Sequence, residues 1–139
     1  MNVEFIDSNV FVYLFDSQDE RRRSLAKSVV ERSLRTGSGV ISYQVVQEVL
    51  NVVSHKMPSP LSAGDAMTFC DLMLVPMWRV FPSDRLYRQA LGIKQRYSTS
   101  FYDALIVAGA LEAGCTHLLS EDFQHGQTIE GVQICNPFL

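Results

Sequence analysis

Val3-Glu-Phe-Ile-Asp-Ser-Asn-Val10 opens with an apolar run of strand length and ends it on an acid. Beyond it, apolar runs of strand length alternate with segments of helical period, the pattern of an α/β fold with a mostly parallel sheet. Strands are predicted over Val3–Ile6, Val40–Ser42, Trp78–Phe81, His117–Ser120 and Val132–Cys135. A short helix is expected over Val10–Phe15. Asp19 is placed to cap a long helix through Arg35, with Leu25, Val29, Val30 and Leu34 inward and Gly37 closing it. A third helix, Gln44–Lys56, carries the stripe Val45, Val46, Val49, Leu50 and Val53. After the breaker Met57-Pro-Ser-Pro-Leu61, Ser62 and Asp65 open another helix, which Pro76 stops. Pro82-Ser83 starts a helix with Leu86, Ala90, Leu91 and Ile93 inward. Ser100 caps Phe101–Ala113, which Gly114 ends.

The chain has 139 residues and no repeat, low-complexity tract or linker, so one domain over 1–139 is expected. With 47% hydrophobic and 19% charged residues it reads as globular rather than disordered. A net charge of −3 is not the footprint of a strongly basic nucleic-acid binder, although local patches decide binding. Cys70, Cys115 and Cys135 form no CxxC pair, and each reads as a small buried hydrophobe rather than a disulfide or zinc ligand. The start MNVEFIDSNV lacks the basic and long apolar regions of a secretory leader. The apolar runs at 43–53 and 102–115 are too short to span a membrane, so no membrane association and a cytoplasmic location are expected.

Of 15 acidic residues, four stand in places a solvated face explains poorly. Asp7 and Asp122 follow the apolar runs Phe5-Ile6 and Leu118-Leu119, where ligands bind in open α/β sheets; capping of the next helix is the plainer account of each. Asp103 lies near the start of a helix apolar on every side, with Ile106 and Val107 at i+3 and i+4. Its face points into protein, where an unpaired carboxylate is costly, although free N–H groups of the first turn could satisfy it. Glu48 borders the stripe of the third helix and alone would read as a boundary residue. Several carboxylates in one cleft repel each other, and hard oxygen donors of this kind select magnesium or manganese. Such an ion assists phosphodiester hydrolysis without a side-chain nucleophile.

Phe5-Ile-Asp-Ser-Asn-Val10, Gln47-Glu-Val49, Ser100-Phe-Tyr-Asp-Ala-Leu-Ile-Val107 and Leu118-Leu-Ser-Glu-Asp-Phe123 resemble, in order and spacing, the acidic motifs of the PIN-domain family. Closest in look are the VapC-like toxins of type II toxin–antitoxin pairs. The resemblance implies a three-layer α/β/α fold with a five-stranded, mostly parallel sheet, and a magnesium-dependent endoribonuclease, with manganese as a substitute. It implies Asp7 and Asp103 as the main metal ligands, with Glu48 and Asp122 completing the pocket. Asn9 and Ser120 match polar motif positions that support those acids. Asp122 is preferred over Glu121 because the family's acid lies two residues past the Ser or Thr that ends the strand. An RNA substrate, a small antitoxin partner and a homodimer follow from the same likeness.

His55, His117 and His125 lack zinc-ligand spacing, and His125 has at most a minor role near substrate. Arg21-Arg-Arg23 reads first as a solvated helix face and second as an RNA or partner contact. Arg96, Tyr97 and Tyr102 are candidates for charge and stacking contacts with a single strand. A phosphoacceptor domain would need a late lysine, and the last one here is Lys94. A haloacid-dehalogenase-type phosphatase would need Asp-x-Asp where Asp7-Ser-Asn9 stands. A PIN fold that binds or scaffolds without catalysis is the remaining rival.

Overall fold

Phe5 and Ile6 are fully buried on β1 (Glu4–Ile6), at the middle of the sheet. In this computed structural model, which describes residues 3–139, β1 pairs in parallel with β2 (Gly39–Ser42) and β4 (His117–Leu119). Met1 and Asn2, the head of the stretch read for a leader, lie outside the described residues. β3 (Trp78–Val80) adds in parallel beyond β2, and β6 (Val132–Cys135) beyond β4. The two-residue β5 (Thr128–Ile129) runs antiparallel to β6 at the edge. The order β3-β2-β1-β4-β6-β5 reverses direction between β1 and β4. Ligands of open α/β sheets bind at that point.

The sixth strand goes beyond the five expected. Its hairpin turns on Glu130 and Gly131, at φ 51° and 85°. Two left-handed residues make the tight turn that suits a twisted hairpin, and glycine takes the second position without strain. A two-residue strand has no periodicity to read.

Helices flank the sheet: α1 (Ser8–Val12), α2 (Glu20–Thr36), α3 (Tyr43–Asn51), α4 (Ala63–Phe69), α5 (Asp84–Tyr97) and α6 (Phe101–Glu112). Four of the starts follow the expected caps, while α1 begins two residues before the expected Val10 and α3 one before the expected Gln44. The Asp19 carboxylate accepts from Arg22 N–H at 3.0 Å, and Ser62, Ser83 and Ser100 accept from Asp65, Leu86 and Asp103 N–H, each at 3.1 Å. Such a cap contributes about 1 kcal/mol. Three of the expected helices are composite. A 3₁₀ turn, Tyr13–Phe15, extends α1, and a π-helical turn, Val52–Lys56, extends α3. Beyond α4 come a π-helical turn, Cys70–Leu74, and a 3₁₀ turn, Val75–Met77, that contains Pro76.

Ala104 through Ala110 are buried without interruption, as the all-round apolar reading of α6 requires. A Cβ on Gly109 would stand 3.3 Å from the Phe5 ring, so glycine here lets α6 lie close on β1. Leu86, Ala90 and Ile93 face inward, but Leu91 is 56% exposed: it sits one residue past the 86–90–93 line, outside the buried stripe. Leu25, Leu34 and Leu50 are only partly buried against the core. Cys115 is buried, whereas Cys70 and Cys135 are only partly so; all three are free thiols. Among the described residues no helix is long and apolar enough to cross a membrane.

Candidate active site

Asp7 follows β1 and Ser120 follows β4, so the parallel pairing of those strands sets them side by side. Asp7 N–H donates to Leu119 O at 3.0 Å. The Ser120 hydroxyl donates to Asp7 Oδ2 at 2.7 Å, and Ser8 N–H donates to Asp7 Oδ1 at 2.7 Å. Asp7 is 3% exposed. Loss of water pushes its carboxyl up to about 6, a rise that Ser120 and Ser8 oppose and that the charges of Asp122 and Asp103 increase.

Asp122 is exposed and turned back toward this strand end. Its N–H donates to Ser120 Oγ at 3.0 Å, and Asn9 Nδ2 donates to Asp122 Oδ2 at 3.2 Å. Its carboxyl is also raised, first by desolvation and then by Asp103. Ser120 and Asn9 are thus each hydrogen-bonded to one of the acids. Glu121 is held elsewhere: the Tyr13 hydroxyl donates to it, and Arg22 Nη1 donates to Tyr13 Oη at 3.0 Å. Burial and the Glu121 charge push the Tyr13 phenol up to about 12.

Two helices bring the remaining acids. Asp103 lies in the first turn of α6, half-buried, and among the described residues its carboxylate accepts no hydrogen bond. Glu48 lies on α3 and is exposed: it borders the buried stripe from the solvent side. Its carboxyl nevertheless rises to about 7, through desolvation and the charges of Asp7, Asp122 and Asp103, while Ser8 favours the ionised form. The open surface argues for a modest desolvation effect, so the direction rests mainly on the three neighbouring charges. Gln44, one turn before Glu48, is buried and donates through Nε2 to Tyr102 O at 3.1 Å, next to Asp103. It ties the helix of Glu48 to the helix of Asp103. Its only signal in the sequence is a polar residue beside Val45 and Val46.

The charges of Asp7, Asp122 and Asp103 thus act on the Glu48 carboxyl, and those of Asp122 and Asp103 act on Asp7. Among the described residues, no three histidine, cysteine or acidic groups stand close enough to hold a metal as they are oriented. Both Asp7 oxygens and Asp122 Oδ2 are turned to protein donors instead. The donor chemistry itself suits a hard divalent cation: oxygen throughout, anionic, and with three carboxyls raised first by desolvation and further by the charges of neighbouring acids. Asn9 Oδ1 is buried with no donor, an unsatisfied acceptor that a hydrated cation would supply.

Ser8, Asn9 and Glu48 border a cleft of about 360 Å³ that also takes in Tyr13, Asn51 and Lys56. A larger apolar groove, about 670 Å³ between α2 and α4, contains none of the four acids and lies apart from this chemistry. Several side candidates are occupied structurally. Arg96 Nε donates to Glu130 at 2.6 Å, and Glu130 N–H donates to Tyr97 Oη at 3.2 Å, so both brace the β5–β6 turn. His125 Nδ1 accepts from Asn136 N–H at 3.0 Å. Arg22 and Arg23 bond to Asp19 and to Asp16 O, leaving Arg21 exposed. Tyr102 is 68% exposed.

The PIN domain family model matches residues 5–128, which takes in Asp7, Glu48, Asp103 and Asp122. The chain belongs to the PIN-domain family. Solved structures share the PIN fold across almost the whole chain. A toxin–antitoxin complex from Klebsiella pneumoniae is 20% identical, with TM-score 0.68, covering 96% of this chain and 97% of that one. Mycobacterium tuberculosis VapC20, described as a sarcin-ricin loop cleaving toxin, is 20% identical with TM-score 0.61, covering 86% and 91%. DNA-bound VapBC from Salmonella typhimurium is 16% identical with TM-score 0.67, covering 96% and 97%. At these identities the likeness is one of fold. No curated protein sequence matches the chain significantly.

Proposed function

We propose that this PIN-domain protein is a magnesium-dependent endoribonuclease, with manganese as a substitute, and the toxin of a type II toxin–antitoxin pair. The observation that carries the reading is the coupling of Asp7, Glu48, Asp103 and Asp122 at the strand-order reversal. Asp7 and Asp103 would be the principal ligands, with Glu48 and Asp122 completing the set. When bound, the ion supplies Lewis-acid polarisation of the phosphoryl group and acidifies water at the site. Ser120 and Ser8 hold Asp7 in place and favour its ionised form, Asn9 orients Asp122, and Gln44 sets the spacing of α3 and α6.

The VapC and toxin–antitoxin structures that share the fold support a small antitoxin-like partner. The homodimer rests on family resemblance. Residues that stand too far apart to chelate as oriented favour the rival, a PIN fold that binds RNA without cutting it. One experiment decides. RNA is incubated with the protein in magnesium, in excess chelator, and with Asp7→Ala and Asp103→Ala. Cleavage confined to wild type with metal is expected; equal cleavage in chelator, or full activity in both variants, overturns the proposal.

A further inference from the structure

The cleft beside Glu48 does not end at the acids. Val12, Tyr13, Val52 and Lys56 line it and also line an adjoining cleft of about 340 Å³ that runs on to Asp16, Ser17, Gln18 and Pro58. Sharing these four residues, the two make one groove that starts at Glu48, the one of the four acids among its lining residues, and runs on past Asp16. Lys56 stands where they meet, and it is the one cation among the residues that line either. Among the described residues its ammonium forms no ion pair, whereas nearby Arg22 is engaged by Asp19 and Tyr13. Lys56 closes the π-helical turn that continues α3, eight residues past Glu48. At about 1.5 Å of rise per α-helical residue, and less in the wider π turn, the two are roughly 10 Å apart along the axis. A lysine there reaches a nucleotide flanking the one held at the acids.

We propose that Lys56, with the neighbouring amide of Asn51, binds a backbone phosphate of single-stranded RNA beside the scissile position. An acidic centre repels the phosphodiester chain on both sides of the bond it cuts. A lone, unpaired cation on the exit groove offsets that repulsion and fixes the strand's path without reading its bases. This inference rests on the ribonuclease reading and adds to it the direction in which substrate leaves the site.

The test measures binding apart from cleavage. A short fluorescent single-stranded RNA is titrated in chelator against Asp103→Asn protein, alone and combined with Lys56→Gln or Lys56→Arg, at several salt concentrations. Lys56→Gln should weaken binding about five- to tenfold at low salt and reduce the salt slope by about 0.7, while Lys56→Arg stays near the parent. In magnesium, Lys56→Gln alone should raise KM by a similar factor and leave kcat unchanged. Unaltered affinity and slope in Lys56→Gln, with wild type still cutting RNA, overturn this inference alone. Wild type that neither binds nor cuts RNA overturns the ribonuclease reading and this inference with it.

Discussion

The Ser120 hydroxyl donates to Asp7 Oδ2 at 2.7 Å, and both residues are buried. Ser120 Oγ in turn accepts from Asp122 N–H at 3.0 Å, so one hydroxyl orders two acids. Ser120→Ala removes a donor from a buried carboxylate and leaves a backbone N–H to find water. Loss of about 1–3 kcal/mol at neutral pH is expected. Because Ser120 holds the Asp7 pKa down, its removal should also move the acidic limb of the pH–rate profile to higher pH. Ser120→Thr should restore both. Denaturant melts and pH–rate profiles check this; an unshifted acidic limb in Ser120→Ala would count against the role.

Without metal, the protein should be more stable at pH 5 than at pH 8, as far as these acids are concerned. Burial raises Asp7 from 3.8 to about 6, desolvation and neighbouring charges raise Glu48 from 4.5 to about 7, and Asp122 moves the same way. The native state therefore holds protons that the unfolded chain has released. That stability is fully present below the unfolded values near 4 and is lost as pH rises through about 6 to 7. Asp7 alone corresponds to about 3 kcal/mol. Melts in chelator across this range should show the decline, and Asp7→Asn should flatten it. A wild-type profile that rises from pH 5 to pH 8, with Asp7→Asn parallel to it, would contradict the sign.

Asp7, Asp103 and Asp122 stand out as candidates in the sequence because strand ends and an all-round apolar helix are local patterns, each readable from a few neighbours. The caps at Asp19, Ser62, Ser83 and Ser100 were legible for the same reason. What it did not show depends on partners distant in the chain. Tyr13 holding Glu121 spans 108 residues, and Gln44 bonding to Tyr102 O spans 58. The exposure of Glu48 and Leu91 follows from how α3 and α5 rotate onto their neighbours, which apolar periodicity fixes only to within about one residue. β5 escaped because its two residues owe their strand geometry to the turn at Glu130-Gly131.

Gln44→Met separates positioning from stability. The substitution removes the bond from Nε2 to Tyr102 O and also removes Gln44 Oε1, which is buried without a donor. An acceptor lost together with its unmet need costs little, so stability should stay within about 1 kcal/mol of wild type. The tie between α3 and α6 is gone, and the acids on them are free to drift. A fall in kcat of about tenfold is expected, with KM for RNA little changed. Unchanged kcat at an unchanged melting temperature would show that packing alone sets the spacing.

Asp103→Asn tests whether the acids store repulsion. Its charge raises the carboxyls of Asp7, Glu48 and Asp122, and its own carboxylate has no hydrogen-bond donor to lose. Asparagine keeps the shape and leaves the backbone cap from Ser100 in place. In chelator near pH 7.5 the variant should therefore be more stable than wild type, by about 1 kcal/mol. Magnesium should then reverse the ranking. Binding to the native state stabilises wild type by about 2.7 kcal/mol at a hundredfold excess over Kd, while the variant, short of one ligand, gains far less. RNA cleavage by the variant should fall to background. The measurement is a thermal melt of both proteins with chelator and with increasing magnesium. A variant clearly less stable than wild type in chelator, with magnesium shifting both equally, would make Asp103 a structural acid of the first turn of α6. The proposed metal set would then lose one of its two principal ligands.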